Sequence, residues 1–169
     1  MMIYQQLFNH LIVALFGVAT AMGQEFKSVE RNGAQVWWRH ADGLIELQMS
    51  APTKGWVAVA FNETDELKNA YLIMGAVTNG RLMVDEHYVF APGDYRSFES
   101  IGFPVHLSDI LGEESRSGTT IRFKLPADMM TRYTKLLSEG ANFYLTMAFS
   151  REDDFRHHSM MRTSIKIKL

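Results

Sequence analysis

The pair Asn79-Gly80 restricts the fold of this sequence more than any other feature. It lies between two apolar runs, Ala70 to Val77 and Leu82 to Phe90. An Asn-Gly pair readily adopts the positive φ angles of a type I′ turn, whose twist matches that of two paired strands. The segment therefore predicts an antiparallel β-hairpin in the middle of the chain.

Similar signals recur along the chain. Further short β-prone or alternating segments are Val36 to Arg39, Leu44 to Ser50, Gly55 to Phe61, Thr119 to Leu125, Asn142 to Phe149 and Met161 to Leu169. The run Gly55 to Phe61 (GWVAVAF) is almost wholly apolar, which is typical of a central strand buried on both faces. Residues 91–117, which contain Pro92-Gly93 and Pro104, are predicted to form long loops with short strands.

One segment has the pattern of a helix. Between Pro126 and Gly140, Asp128 stands where an N-cap is expected and Gly140 where a helix would end. An apolar stripe between them consists of Met129, Tyr133, Leu136 and Leu137. Strands and helices do not alternate as they would in a parallel α/β sheet. The sequence therefore predicts an all-β fold, an antiparallel immunoglobulin-like β-sandwich with one short late helix.

The N-terminus has the pattern of an export signal. Its first 23 residues contain no Asp, Glu, Lys or Arg, and the apolar block Leu11 to Val18 precedes the small-residue stretch Ala19 to Gly23. The block is too short to span a membrane. We therefore expect a signal peptide over residues 1–23, a mature domain over residues 24–169 without a membrane span, and a secreted or periplasmic location. A buried N-terminal strand or helix is the alternative.

Composition and motifs exclude several functions. The formal net charge is −2 and the pI is near 6.3, whereas a nucleic-acid binder normally carries a basic stripe. The chain has no cysteine, which excludes thiol catalysis, Cys-ligated metals and covalently attached haem. No nucleophile motif, phosphate-binding loop or HExxH is present, and no carboxylate pair indicates acid–base catalysis. We therefore expect a binding protein and no enzyme.

Several short motifs follow one another in a distinctive order. They are GW-x-A-x-AF at Gly55 to Phe61, M-G-A at Met74 to Ala76, Val84 to Tyr88, Ala148 to Ser150, and His157 to Arg162. In this order the set resembles the DOMON domain family, from about Val36 to Leu169. That family consists of extracytoplasmic β-sandwiches found in haem-b cytochromes and beside copper monooxygenases, and some members are inferred to bind sugars. The acidic residue that usually follows M-G-A in the family is Val77 here.

The resemblance implies a haem site. Haem-binding members use a methionine in the M-G-A segment and a histidine before the last strand as axial ligands, which correspond to Met74 and to His158 or His157. The family's histidine is often followed four positions later by arginine, as His158 is by Arg162, and Arg162 could pair with a haem propionate. Met and His together leave haem iron no open position and suit electron transfer. The expectation is a ligand pocket at one end of the sandwich, haem b as its cofactor, and electron relay to or from a redox partner protein.

Each of these residues also has a structural interpretation. Met74 is one of 11 methionines and could fill the core. The two histidines could be exposed loop residues, or could form a metal site with Asp153 and Asp154. If the last strand ran unbroken from His157, alternation would place His157 on the inner face and His158 outside. A later strand start would reverse this.

Two other functions remain open from the residues. Aromatic faces stack on sugar rings, and Trp37 and Trp38 face opposite ways in a strand, so only one of them could form a platform. Trp56 is expected in the core, and His87 is expected to be a half-exposed structural residue. A haem-free carbohydrate- or small-ligand-binding module is one alternative. A protein-interaction domain without a cofactor is the other.

Overall fold

A computed structural model describes residues 25–169, so the predicted signal peptide lies outside the described residues. The strands are β1 (Lys27–Arg31), β2 (Ala34–Ala41), β3 (Leu44–Ala51), β4 (Val57–Asn62), β5 (Tyr71–Thr78), β6 (Arg81–Ala91), β7 (Asp94–Ser97), β8 (Ser108–Ser115), β9 (Gly118–Pro126), β10 (Asn142–Phe149) and β11 (Met161–Lys168). A single turn of 3₁₀ helix, Glu99–Ile101, lies between β7 and β8.

The strands form two antiparallel sheets. One sheet has five strands in the order β1-β2-β3-β9-β8, and the other has six in the order β11-β10-β4-β5-β6-β7. The predicted all-β sandwich is confirmed. Residues 91–117 contribute β7, the 3₁₀ turn and β8, which confirms the expected mixture of loops and short strands.

The core lies between the sheets. From the five-stranded sheet it receives alternate residues such as Ile45, Leu47 and Met49, and from the six-stranded sheet residues such as Val59 and Leu145, all of which are buried. In β4 every residue is buried, as the GWVAVAF run predicts. The other face of β4 must therefore be covered as well, and that cover forms the candidate site.

Tight turns fix the register of the hairpins. Asn79 and Gly80 have φ angles of 51° and 76°, which confirms the predicted type I′ turn between β5 and β6. Asp42 and Gly43, with φ angles of 53° and 76°, form the corresponding turn between β2 and β3. This geometry leaves Met74 directly opposite Ala58 on one side and Asp85 on the other.

The predicted helix over residues 126–140 does not form. The segment is irregular, and its Thr131 and Thr134 side chains bond locally to the backbone: Thr131 N–H donates to Thr134 Oγ1 at 2.8 Å, and Thr134 Oγ1 donates to the Met129 carbonyl at 3.1 Å. Such bonds compete with helical ones. Of the predicted apolar stripe, Leu137 is buried in the core and Tyr133 packs against it, whereas Leu136 is 42% exposed.

A buried carboxylate ties a long loop to the six-stranded sheet. Glu86 on β6 is 1% exposed and accepts hydrogen bonds from the Tyr71 hydroxyl and the His106 backbone N–H. The Leu107 backbone N–H donates to the same carboxylate at 3.3 Å. The loop that follows the 3₁₀ turn is thereby held against β5 and β6.

Candidate ligand-binding cavity

A cavity lies on the outer face of the six-stranded sheet, away from the main core. Its volume is about 270 Å³, and it is lined by residues of β4, β5 and β10 and by the loop between β10 and β11. This position differs from the expected pocket at one end of the sandwich. The reason is that a second apolar cluster, with Trp56 and Met74 among its members, covers this face of the sheet.

The floor of the cavity is made of small side chains. Ala58 and Ala60 on β4 and Ala148 on β10 line it, and Ala58 and Ala148 lie opposite each other in the register. Neighbouring strands are about 4.8 Å apart, so these methyl groups form a low, flat patch. A planar apolar ligand could therefore lie close to the sheet.

Met74 lies beside this alanine floor. Its side chain projects from β5 to the outer face, is 2% exposed and lines the cavity. Val57, Val59 and Phe61 of the neighbouring strand point the other way, into the main core. Met74 is therefore buried, but in the cover of the outer face and not in the core between the sheets.

The loop between β10 and β11 lines the same cavity through residues 156–159. Its backbone is held at several points: Trp56 N–H donates to the Glu152 carbonyl at 3.0 Å, Ser150 Oγ donates to the His158 carbonyl at 3.2 Å, and Met160 N–H donates to the Phe149 carbonyl at 2.8 Å. Thr78 Oγ1 on β5 also donates to Asp153 Oδ2 at 2.7 Å. The loop therefore has a fixed path over the sheet.

This loop carries the two histidines. His157 and His158 both line the cavity, and both are exposed at its rim. β11 begins only at Met161, so neither histidine belongs to a strand and the alternation argument does not apply to them. Arg162 lies on β11 opposite Ala148 and also lines the cavity. Met74, both histidines and Arg162 are thus brought together.

Asp154 lies close to His157 in this loop, and its backbone carbonyl accepts a hydrogen bond from the His157 N–H at 3.0 Å. Hydrogen bonds from Arg156 are the main cause that lowers the pKa of Asp154, and the charge of His157 contributes to the same shift. His157 therefore lies within the field of Asp154. Neither the His157 ring nor the His158 ring makes a hydrogen bond within residues 25–169, where the bonds of these residues are made by the His157 N–H and the His158 carbonyl.

The alternative metal site is not assembled in the described part of the chain. Asp153 accepts a bond from Thr78, and Asp154 pairs with Arg156 at 3.0 Å. Across residues 25–169 no group of three or more His, Asp or Glu side chains is placed to hold an ion. The two carboxylates instead shape the loop that carries the histidines.

His87 was expected to be half-exposed, but it is only 5% exposed. It lies on the outer face of β6, and its ring packs edge-on against Tyr95, at 5.5 Å, and Phe155, at 6.1 Å. Tyr95 lines the cavity, and its hydroxyl donates to the Phe155 carbonyl. Burial lowers the pKa of His87. Strand alternation predicts that His87 lies on the same face of β6 as Asp85. The sequence does not show that Tyr95 and Phe155 cover His87 on that face.

The tryptophans separate as strand geometry requires. Trp38 is 4% exposed in the main core, and Trp37 is half-buried on the outer face of the five-stranded sheet. Trp56 is buried as expected, although in the outer cluster, where it lines the cavity. Trp37 is therefore the one tryptophan of the three that offers part of its face to solvent.

No helix within residues 25–169 is long and apolar enough to cross a membrane.

Comparisons with known proteins agree with this fold. The cytochrome b domain of pyranose dehydrogenase from Coprinopsis cinerea superposes with a TM-score of 0.55 at 10% identity, covering 80% of this chain and 76% of that chain. The cytochrome domain of Myriococcum thermophilum cellobiose dehydrogenase superposes with a TM-score of 0.52 at 8% identity, covering 85% of this chain and 82% of that chain. Among curated proteins, none matches the sequence.

The sequence also matches a family profile, that of the DOMON domain, over residues 31–150. The matched range includes Met74 and the alanine floor, and it ends before His157. Because the match spans more than half of the chain, the protein belongs to the DOMON domain family.

Proposed function

We propose that this chain is an exported haem b domain that transfers electrons, with Met74 and His158 as axial ligands of the iron. The observation that carries the proposal is that Met74, His157, His158 and Arg162 line one cavity. They lie on two strands and a loop, and Met74 and His158 are 84 positions apart in the sequence (158 − 74). The similarity of the fold to cytochrome b domains supports the same ligand class.

The lining of the cavity fits haem in its chemistry. A thioether and an imidazole are suitable axial ligands, and the alanine floor leaves room for a flat ring beside Met74. Arg162 makes no ion pair within the described residues, so its guanidinium is free to bind a propionate in a charge-assisted contact. His158 is the preferred imidazole because Arg162 follows it by four positions, the spacing that the family resemblance implies.

The exposure of the rim suits electron transfer. When bound by a thioether and an imidazole, haem iron has no open coordination position and exchanges single electrons. A cavity of about 270 Å³ is near the lower limit for drug-sized ligands, so part of a bound ring would remain at the surface. The exposed rim would bring that edge within reach of a partner protein. Met74 would be sheltered from water beneath it.

The test is a titration of purified residues 24–169 with haemin, followed by absorption spectra of the oxidised and reduced forms. We expect a six-coordinate low-spin spectrum. Met74→Leu preserves the side-chain volume and removes the sulfur, so it should abolish the methionine-ligated spectrum while the fold survives. Met49→Leu is the matched control, because Met49 is equally buried (2%) but lies in the main core.

The histidines are separated by single substitutions. His158→Ala should remove the low-spin spectrum, and His157→Ala should retain it. The reverse result would assign the ligand to His157. A spectrum of free haemin with the unmodified chain would contradict the proposal altogether.

Carbohydrate binding is the second candidate, and one observation favours it. Half-buried Trp37 lies between Ser28 and Gln48 in the register of the five-stranded sheet, so its ring has polar neighbours on both sides. A sugar array tests this function. Binding that is lost in Trp37→Ala and kept in Met74→Leu would support it, and an array without a binding signal would exclude the sugars tested.

A further inference from the structure

A basic depression lies beside the loop that carries the histidines. Lys54, Arg116, Arg151 and Met160 line it, and its volume is about 400 Å³. Three cations are thus concentrated in one place on a chain whose net charge is −2.

Most of this positive charge is uncompensated. Lys54 pairs with Glu114 at 3.3 Å, and both side chains remain accessible, so that ion pair is weak. Arg116 and Arg151 are exposed and form no ion pair within residues 25–169. Two free guanidinium groups favour carboxylates, which they can bind through two parallel hydrogen bonds.

The depression also has an apolar element. Met160 is 50% exposed, although its backbone is held by the bond to Phe149. Methionine and arginine are enriched in protein–protein interfaces, whereas lysine is depleted. An exposed methionine among two arginines and one lysine therefore fits a protein surface better than a small anion.

One loop joins the depression to the cavity. Arg151 and Met160 stand at its two ends, and Arg156 to Ser159 between them line the cavity. A protein bound in the depression would thus contact the same loop that presents His157 and His158. Gly55 lies directly beneath the loop, against the backbone of Arg151 and Glu152, and so supports the segment that the two sites share.

We propose that this basic depression is the docking surface for an acidic redox partner protein. The proposal rests on the electron-transfer function proposed above. The partner's carboxylates pair with Arg116 and Arg151 while an apolar side chain covers Met160. With haem held by Met74 and His158, one electron would pass between the partner's redox centre and the iron, so that one centre is oxidised as the other is reduced and no atom is transferred.

The first test needs no haem, so its failure is distinct from failure of the haem proposal. The probe is a decaglutamate peptide, titrated into purified residues 24–169 at low ionic strength and followed by backbone amide NMR. We expect the largest shifts at Lys54, Arg116 to Gly118, Arg151 and Met160. The double variant Arg116→Glu/Arg151→Glu should weaken binding at least about tenfold, and added salt should weaken it in the unmodified chain.

The matched control is Arg132→Glu/Lys168→Glu, which changes the net charge equally at exposed positions that line neither the cavity nor the depression. It should bind the peptide nearly as well as the unmodified chain. Equal losses in the two double variants would overturn the proposal, because binding would then depend on net charge alone. Inorganic phosphate binding as tightly as the peptide would also overturn it and assign the depression to small anions.

The second test uses the haem-loaded chain and an acidic [2Fe–2S] ferredoxin as electron donor. The bimolecular rate of haem reduction should fall at least about tenfold in Arg116→Glu/Arg151→Glu and should depend steeply on ionic strength. An unchanged rate beside an unchanged haem spectrum would show that electrons enter elsewhere and would overturn the docking surface.

Discussion

Gly55 lies so close to the backbone of Glu152 that a β-carbon at position 55 would come within 2.5 Å of the Glu152 nitrogen. The same β-carbon would lie 2.4 Å from the Arg151 carbonyl carbon. Both contacts are with backbone atoms, which cannot rotate away. Gly55 therefore allows the loop between β10 and β11, which carries His157 and His158, to cross the sheet at this point. The next residue, Trp56, donates its N–H to the Glu152 carbonyl.

We expect Gly55→Ala to displace this loop. The substitution should lower haemin affinity at least about tenfold and destabilise the fold by roughly 1–3 kcal/mol, the usual range for overpacking. Gly43→Ala is the control: it strains a positive-φ turn, where nothing lies within 4 Å of the added carbon. Haemin titration and urea unfolding of both variants separate the effects. If Gly43→Ala loses haemin as strongly as Gly55→Ala, general destabilisation explains the result.

The alanine floor makes a second prediction. Ala58→Leu adds three carbon atoms at a position that lines the cavity beside Met74. The larger side chain should occupy the space of a flat ligand and abolish haemin binding, while the thermal midpoint of the unliganded chain changes by only a few degrees because the cavity accepts the side chain. Ala41→Leu, at an exposed strand end, is the control and should bind normally. Unchanged haemin binding by Ala58→Leu would exclude this cavity as the site.

Most of the fold could be predicted from the sequence because local rules operate there. The Asn79-Gly80 turn and the alternation of β3 and β11 place their strands within a few residues. The helix over 126–140 was wrongly predicted because an apolar spacing does not fix the backbone conformation: within the stripe Leu137 is buried, but Leu136 is 42% exposed. Hydrogen bonds of Thr131 and Thr134 decide the local conformation, and they leave no periodic signal.

The site was harder to predict for a different reason. The family resemblance implied Met74, His157, His158 and Arg162 as site residues, and the fold brings them to one cavity. Sequence could not show that the cavity lies on the outer face, because β4 is apolar on both faces. The basic depression was also missed, since Lys54, Arg116 and Arg151 are widely separated along the chain.

Glu86 should contribute strongly to stability. Its carboxylate is buried and accepts bonds from Tyr71, His106 and Leu107, and Glu86→Gln replaces one acceptor oxygen with a donor that faces other donors. We expect a loss of roughly 2–4 kcal/mol in urea unfolding, compared with less than about 0.5 kcal/mol for the exposed control Glu113→Gln. Equal midpoints for the two variants would contradict the role of Glu86 as the anchor of the loop.

The raised pKa of the buried Tyr71 hydroxyl predicts that the protein loses stability at alkaline pH. Burial raises the pKa of its hydroxyl well above the usual value near 10, and the neighbouring Glu86 charge adds to the shift. Above about pH 10 the unfolded chain releases this proton while the folded chain keeps it, so stability falls as the pH rises. Tyr71→Phe should make the free energy of unfolding less dependent on pH between about 9 and 11. An identical slope in the two proteins would show that Tyr71 does not titrate differently on unfolding.

His87 predicts the opposite dependence in mild acid. Desolvation by burial lowers its pKa below the ordinary value of about 6.5, although Asp85 partly opposes the shift. Below about pH 6.5, His87 binds a proton in the unfolded chain but stays neutral in the folded chain. The contribution of His87 to the free energy of unfolding is therefore complete above about pH 6.5. It is lost as the pH falls through the lowered pKa of His87 in the folded chain.

His87→Phe removes the titrating group and keeps an aromatic ring against Tyr95 and Phe155. Urea unfolding at pH values between 7.5 and about 5 should then show a shallower slope in this variant than in the unmodified chain. His40→Phe is the control, because it makes the same histidine-to-phenylalanine change at a different position in the fold. A slope that changes in His40→Phe and not in His87→Phe would assign the acid sensitivity to another part of the fold.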